Sequence, residues 1–359
     1  MLQPATLDEL QQAVREHERL LPRGGASKPA LAAESAGMDT LDLTRLAGIL
    51  EYTPGEFTFT ALAGTRLADI EAALAEHGQY LPFDPPFVRQ GATLGGTVAA
   101  GLNGPGRFRY GGIRDFILGV RLVDGQGRLV RGGGKVVKNA AGFDIPKLMV
   151  GSLGMFGALA ELTFKVFPRQ PACATLSLTI DGLDRALGRL TGLINSQLDV
   201  DAVELEPVSG GATIWVRLRG LPGALPARMD RVRAILGGGQ ATDGDLIPNW
   251  PFGGEGAAGG LTGSLVKIPV APARIPELET TLASGSSGSR RRYSSGGNVL
   301  WLVADRLPET LNDALTALNL SGLVVAGARE QVRLGIRRGQ TFEHRIKQVF
   351  DPSGRFPNY

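Results

Sequence analysis

Apolar positions Leu7, Leu10, Val14 and Leu21 recur at helical spacing behind Thr6-Leu7-Asp8-Glu9. That tetrapeptide reads as a capping box, with Thr6 as N-cap and Glu9 at N3, so the spacing predicts an N-terminal helix with His17 at the edge of its core face. Alternation over 49–53 and 57–63 around Pro54-Gly55 predicts two strands. Leu67, Ile70 and Leu74 predict a second helix stopped by Gly78, with His77 in its last turn beside the negative end of the dipole. Residues 116–123 and 128–131 predict a hairpin around Asp124-Gly125-Gln126-Gly127, and 158–167 a further strand.

After Pro168 and Pro171 the pattern changes. Short apolar runs predict strands over 175–180, 213–218, 265–270, 299–303 and 323–326. Between them, helical spacing predicts helices over 183–194, 228–236, 276–282 and 309–318. This is an α+β layout with a mainly antiparallel sheet backed by helices. Segments 253–263 and 284–289 read as flexible insertions, and no repeat of fixed period is visible. The tail from His344 predicts a short helix ending at Asp351-Pro352-Ser353-Gly354. A chain of 359 residues exceeds the roughly 250–300 that one core supports, so two domains are expected, with a boundary near 171.

Composition narrows the function. Lys+Arg is 38 against Asp+Glu 35, and 31 of the cations are Arg; no basic tract marks a nucleic-acid surface. The single Cys173 excludes an internal disulfide, an iron–sulfur cluster and a thiolate zinc site, and points to a reducing, cytoplasmic location. His17, His77 and His344 are too scattered for a histidine metal site. The longest apolar stretch, 149–160, is far short of the ~20 residues of a membrane span. The start of the chain, Met1-Leu2-Gln3-Pro4, does not read as a secretory signal.

Glycine, 51 residues, is about twice the usual ~7 %, and it clusters. Arg23-Gly24-Gly25-Ala26-Ser27-Lys28 combines adjacent glycines, a hydroxyl and two cations, the ingredients of a backbone nest for an anion. In 91–101 small residues dominate, including Gly91, Ala92, Thr93, Gly95, Gly96 and Thr97, so its packing partner is expected to be backbone or a flat ligand. Asn103, Arg107, Arg109 and Tyr110 follow. A third cluster, Lys138-Asn139-Ala140-Ala141-Gly142-Phe143-Asp144, leads to Gly151-Ser152-Leu153-Gly154-Met155-Phe156-Gly157. No GxGxxG opens a helix near the N-terminus, and Gly132-Gly133-Gly134-Lys135 lacks both the first glycine and the Ser/Thr of a P-loop.

The order of these segments resembles the FAD-binding family of the vanillyl-alcohol oxidase and p-cresol methylhydroxylase (PCMH) type, over about residues 1–171. Lys347-Gln348-Val349-Phe350-Asp351-Pro352 resembles that family's C-terminal return. Within it, Phe83-Asp84-Pro85-Pro86 and 138–144 resemble the FAD-binding subunits of bacterial glycolate oxidases. The resemblance implies a two-subdomain PCMH-type FAD-binding domain (1–171, completed by 331–359) and a smaller α+β cap domain (172–330). It implies that Arg23–Lys28 cradle the pyrophosphate of FAD with help from Gly91–Thr97. Asn103, Arg107, Arg109 and Tyr110 would line the flavin region, Lys138, Gly142 and Asp144 would close over the cofactor, and the strand after Gly157 would flank the adenine. No His or Cys lies in these loops, so the FAD is expected to be non-covalent.

The activity so implied is oxidation of a small 2-hydroxy acid, glycolate to glyoxylate. A larger homologous FAD subunit and an iron–sulfur subunit are the implied partners, with peripheral association at the inner membrane through them. No catalytic base is evident: 172–330 contains no histidine, the family's histidine before the last strand is replaced by Ala326-Gly327-Ala328, and Tyr110 or Tyr293 would have to deputise. Two other readings stay open. One is a non-catalytic FAD-binding assembly or electron-relay subunit; the other is a stand-alone flavin oxidase of another alcohol.

Overall fold

The computed structural model describes all residues except 33–36, 135–142, 248–262, 284–288, 308 and 328–330. The chain divides into two compact units, one made of Met1–Asn103, Gly112–Pro168 and Arg338–Tyr359, the other of Gly104–Gly111 and Arg169–Arg337. The expected insertion 253–263 lies almost wholly, and 284–289 largely, outside the described residues.

In the first unit the helix Leu7–Glu16 buries Leu10 and Val14. Thr6 Oγ1 accepts from the Glu9 N–H at 3.2 Å, and the Glu9 carboxylate accepts from the Ala5 N–H at 2.7 Å, one residue before the cap. Leu21 does not continue this helix. It belongs to β1 (Leu20–Arg23), which pairs in parallel with β2 (Asp39–Asp42). His17 caps the helix in extended conformation, its Nδ1 3.0 Å from the Ala13 carbonyl.

Strands β3 (Ile49–Thr53) and β4 (Thr58–Leu62) form the predicted pair. Gln79 and Tyr80 form the short β5 (Gln79–Tyr80), and β6 (Ile117–Val123) with β7 (Leu129–Gly133) forms the predicted hairpin. Its turn is closed by Asp124 Oδ1, which accepts from the N–H groups of Gln126 and Arg128. With β8 (Ala158–Lys165) in the middle, the antiparallel order is β3-β4-β8-β6-β7, while β9 (Phe167–Pro168) pairs with β5. A central strand flanked on both sides buries Ala158, Ala160, Leu162 and Phe164, and Phe164 stacks on Phe59 with centroids 5.9 Å apart. The helix Leu67–Ala75 buries Leu67, Ile70 and Leu74 as spaced. His77 makes an edge contact with the Tyr52 ring at 5.3 Å. The tail forms the helix Gln340–Phe350, after which the Arg355 carbonyl accepts from the Leu20 N–H at 2.7 Å.

The second unit, close to the first in length, is one nine-stranded antiparallel sheet with helices. Its first half runs β10 (Ala172–Asp181), helix Leu183–Ile194, β11 (Ala202–Val208), β12 (Gly211–Gly220), helix Leu225–Leu236, β13 (Gln240–Asp243). Its second half runs β14 (Ser264–Pro269), helix Ile275–Ala283, β15 (Arg290–Ser294), β16 (Val299–Ala304), helix Leu311–Ala317, β17 (Ser321–Ala326), and β18 (Arg333–Gly335) follows. Spatially the strands lie β13-β10-β12-β11-β15-β16-β14-β17-β18. Each half is therefore a βαββαβ unit of ferredoxin-like order, the two joined edge to edge where Leu205 opposes Tyr293. The repeat is one of topology. It escapes the sequence because no residue pattern recurs with it. Strands β11 and β15 also escape, since Glu204, Glu206, Arg290, Arg291 and Arg292 mask their alternation. In the fold the Arg292 guanidinium reaches Glu206 at 2.9 Å across the join.

Among the described residues no helix is long and apolar enough to cross a membrane, and no group of His, Cys, Asp and Glu could hold a metal ion.

Candidate cofactor site

One cleft lies wholly within the first unit, where three segments meet: residues 22–32, the start of the helix Leu94–Ala100, and residues 153–159. Strand β1 delivers the first segment. Gly24 and Gly25 are demanded by contact, since a Cβ at Gly24 would overlap Thr93 Oγ1 and one at Gly25 the Gly91 carbonyl. Ala26 then turns the backbone left-handed at φ 51°. Among the described residues no acceptor takes the N–H groups of Gly25, Ala26 or Ser27. Successive unsatisfied donors in such a turn form a concave anion seat.

Lys28 closes this seat. It is 7 % exposed, its Nζ donates to Ser27 Oγ at 2.9 Å, and it lies 5.5 Å over the Phe87 ring. No carboxylate among the described residues pairs with it, and burial pulls its pKa down to about 8. A buried cation without a counter-charge is costly, and an anion placed in the cleft would remove that cost.

The second segment is a helix, and besides its small residues it buries the side chains of Leu94 and Val98, so backbone or a flat ligand is not its whole packing partner. Small residues serve its close approach to the sheet. Thr93 Oγ1 caps it, accepting from the Gly96 N–H at 3.3 Å, while Leu94 and Gly95 donate to the carbonyls of Thr65 and Ala63 at 2.9 and 2.8 Å. Its first donors are thus already used. A Cβ on Gly95 would stand 2.7 Å from Ala63 Cβ; one on Gly96 would meet only Thr93 Oγ1 at 3.1 Å. Gly157, at φ 147°, lets its strand pass the Val123 carbonyl, which a Cβ would approach to 2.6 Å. Leu31, Ala32, Leu43, Ala63 and Leu159 supply an apolar wall. Sequence reasoning missed this wall because ordinary apolar residues of unrelated elements carry no motif.

Of the expected site residues, the cleft brings together Arg23 to Lys28, Thr93, Gly95, Gly96 and Gly157. Gly91 and Ala92 stand behind them, and Thr97 is buried, its hydroxyl without a partner among the described residues. Asn103 braces the backbone, accepting from the Ile113 N–H at 2.8 Å and donating to the Gly101 carbonyl at 3.3 Å. Arg107, Arg109 and Tyr110 form a short helix that belongs to the second unit, where Arg109 is ion-paired with Asp199. Asp144 caps the helix Ile145–Met149, and its ion pair with Lys147 at 2.5 Å holds its carboxyl below the usual range. Lys138 and Gly142 lie outside the described residues.

Tyr293 cannot deputise as a base. It is fully buried, donates to Glu279 at 2.6 Å, and burial pushes its pKa up, away from neutrality. The titratable group that sequence reasoning missed is Glu204 on β11. It is 1 % exposed and accepts from Ser294 Oγ at 2.7 Å and the Ser295 N–H at 3.2 Å, and burial raises its pKa to about 7.

Residues 1–133 match the family model described as FAD binding domain. The chain is similar to glycolate oxidase subunit GlcE of Escherichia coli (strain K12), 40 % identical over 238 residues, 65 % of this chain and 64 % of that protein. It is also similar to D-2-hydroxyglutarate dehydrogenase of Xanthomonas citri pv. viticola, 30 % identical over 56 % of this chain and 43 % of that protein. A third relative is glycolate oxidase subunit GlcD of Bacillus subtilis (strain 168), 28 % identical over 55 % and 43 %. The chain thus spans less than two thirds of each of these relatives. A solved alkyldihydroxyacetonephosphate synthase shares the fold at TM-score 0.71 and 15 % identity, covering 98 % of this chain and 74 % of that one. The matched residues, 1–133, carry the anion seat, the capped glycine helix and the buried lysine.

Proposed function

We propose that this chain holds FAD non-covalently in the cleft of its first unit and is the FAD-carrying subunit of a complex that oxidises a small 2-hydroxy acid, glycolate to glyoxylate. The observation that carries the reading is the anion seat: among the described residues the N–H groups of Gly25, Ala26 and Ser27 find no acceptor and the buried Lys28 beside them finds no carboxylate. Two linked phosphates fit that donor set, with Lys28 and Arg23 balancing their charge. The apolar wall from Leu31 to Leu159 suits the flat part of a nucleotide. Bound there, FAD supplies the acceptor for a hydride from the hydroxyl-bearing carbon. The chain's own part is to bind, orient and shield. The flavin-region roles of Asn103, Arg107, Arg109 and Tyr110 and the closing of Lys138, Gly142 and Asp144 over the cofactor belong to the same proposal, as does the division into a FAD domain and a cap domain.

The substrate class and the assembly rest on the names of the relatives, of which two are glycolate oxidase subunits. A larger homologous flavoprotein and an iron–sulfur protein are the proposed partners, the latter because one cysteine cannot carry a cluster onward. One feature favours a second reading, in which the chain carries FAD for assembly or electron relay: 172–330 has no histidine and the Tyr293 hydroxyl is committed to Glu279.

Reconstitution with FAD followed by acid precipitation tests the cofactor reading. All yellow colour is expected in the supernatant. Colour kept in the pellet would refute the non-covalent bond, and a chain that takes up no FAD would refute the site.

A further inference from the structure

Lys347 and Asp351 stand four apart at the end of the helix Gln340–Phe350, spaced to meet on one face. Their pairing is buried. Asp351 is 2 % exposed, and its carboxylate accepts from Lys347 Nζ at 2.7 Å and from the Arg355 and Phe356 N–H groups, both at 2.9 Å. Lys347 Nζ has two further acceptors, the Phe356 carbonyl at 2.9 Å and the Met155 carbonyl at 2.8 Å. The last contact crosses to the segment 153–157, in which Leu153, Gly154 and Gly157 line the cleft. The Phe350 ring lies 6.5 Å from Phe156, and the Phe350 carbonyl accepts from the Gly125 N–H at 2.8 Å.

The loop with glycines at 151, 154 and 157 buries Met155 and Phe156, and its Leu153 N–H donates to the Ala99 carbonyl at 2.9 Å. The ammonium of Lys347 satisfies its carbonyl at Met155 from the outside, and Asp351 fixes the ammonium. We propose that Lys347 is a positioning residue of the cofactor cleft: through Met155 it sets the wall formed by Leu153, Gly154 and Gly157, so that binding of the nucleotide half of FAD depends on the C-terminal tail. The inference rests on the FAD reading above and adds a named residue, remote from the ligand, to the binding machinery.

The test uses the full-length apoprotein. Lys347→Met alone leaves a buried carboxylate unpaired and risks misfolding, so the main variant is Lys347→Met with Asp351→Asn, which removes both charges together. FAD uptake is followed by flavin fluorescence and ADP binding by calorimetry. Dissociation constants for both should rise about tenfold or more, the usual cost of a lost hydrogen bond to a charged group. Lys347→Arg, which keeps a donor cation, should stay within about threefold of wild type, and the amides of Leu153 and Met155 should exchange faster in the double variant. Unchanged affinities despite faster exchange would overturn the proposal, as would a Lys347→Arg variant as weak as the double variant. A wild-type chain that takes up no FAD would overturn the cofactor reading itself, before any variant is compared.

Discussion

Lys28 links burial to ligand binding. Its folded pKa of about 8 lies below the ordinary 10.5, so in the free protein it loses its proton as pH rises through about 8. An anion beside it favours the charged form and returns that proton. FAD affinity is therefore expected to be flat from pH 6 to about 8 and then to weaken, by at most about tenfold per unit. Lys28→Met should abolish this slope and weaken binding about tenfold or more at pH 7. Fluorescence titrations between pH 6 and 10 check both; a flat wild-type profile would mean that Lys28 does not meet the cofactor. Glu204 titrates in the opposite sense to an ordinary paired carboxylate. Its folded pKa of about 7 exceeds the ordinary 4.5, so the stability it contributes as the neutral acid is present below 4.5 and lost as pH rises through 7. Arg292 on β15 and Arg217 on β12 offset part of that loss. Glu204→Gln should stabilise the protein by about 2 kcal/mol at pH 8 and much less at pH 5, read from urea unfolding at the two values.

At the scale of elements, the helix Leu94–Ala100 separates two uses of glycine. Gly95 meets Ala63 Cβ, so Gly95→Ala should cost about 1–3 kcal/mol of stability through overpacking. Gly96 borders the cleft with only Thr93 Oγ1 near, so Gly96→Val should leave thermal stability within a few degrees of wild type yet abolish FAD retention. Paired melting curves and flavin-to-protein ratios distinguish the two. Equal flavin in Gly96→Val would remove that glycine from the cofactor wall. Elements with clear periodicity were legible from their residues. The helix behind Thr6 as far as Val14, the strands around Pro54-Gly55 and the hairpin around Asp124-Gly125 form where the apolar spacing puts them. The helix at 94–100 was not, because two of its seven residues carry no side chain beyond a Cβ and two more carry none at all. Strands β11 and β15 were hidden by charges whose partners lie on each other, a pairing that exists only once the sheet is assembled.

At the scale of the whole molecule, the prediction concerns catalysis. The FAD-loaded single chain, mixed anaerobically with glycolate or D-lactate, should keep its flavin colour, since no histidine serves 172–330 and Tyr293 is held by Glu279. Rapid bleaching by either acid would restore the stand-alone enzyme. The residues by themselves determined the class of cofactor and where glycines, a hydroxyl and two cations fall together. Glycines beside Ser27 and Lys28 constrain the local backbone and its charge whatever the rest of the chain does. They also determined that two cores were needed, because length alone sets how much surface a single core can bury. Only the tertiary structure decided that Lys28 has no counter-charge among the described residues, that Arg107, Arg109 and Tyr110 group with the second unit, and that this unit is a doubled βαββαβ sheet. It alone tied Lys347 to Met155 across 192 positions of the chain. Such facts depend on which groups are desolvated together, and desolvation is a property of long-range contacts that no local run of residues contains.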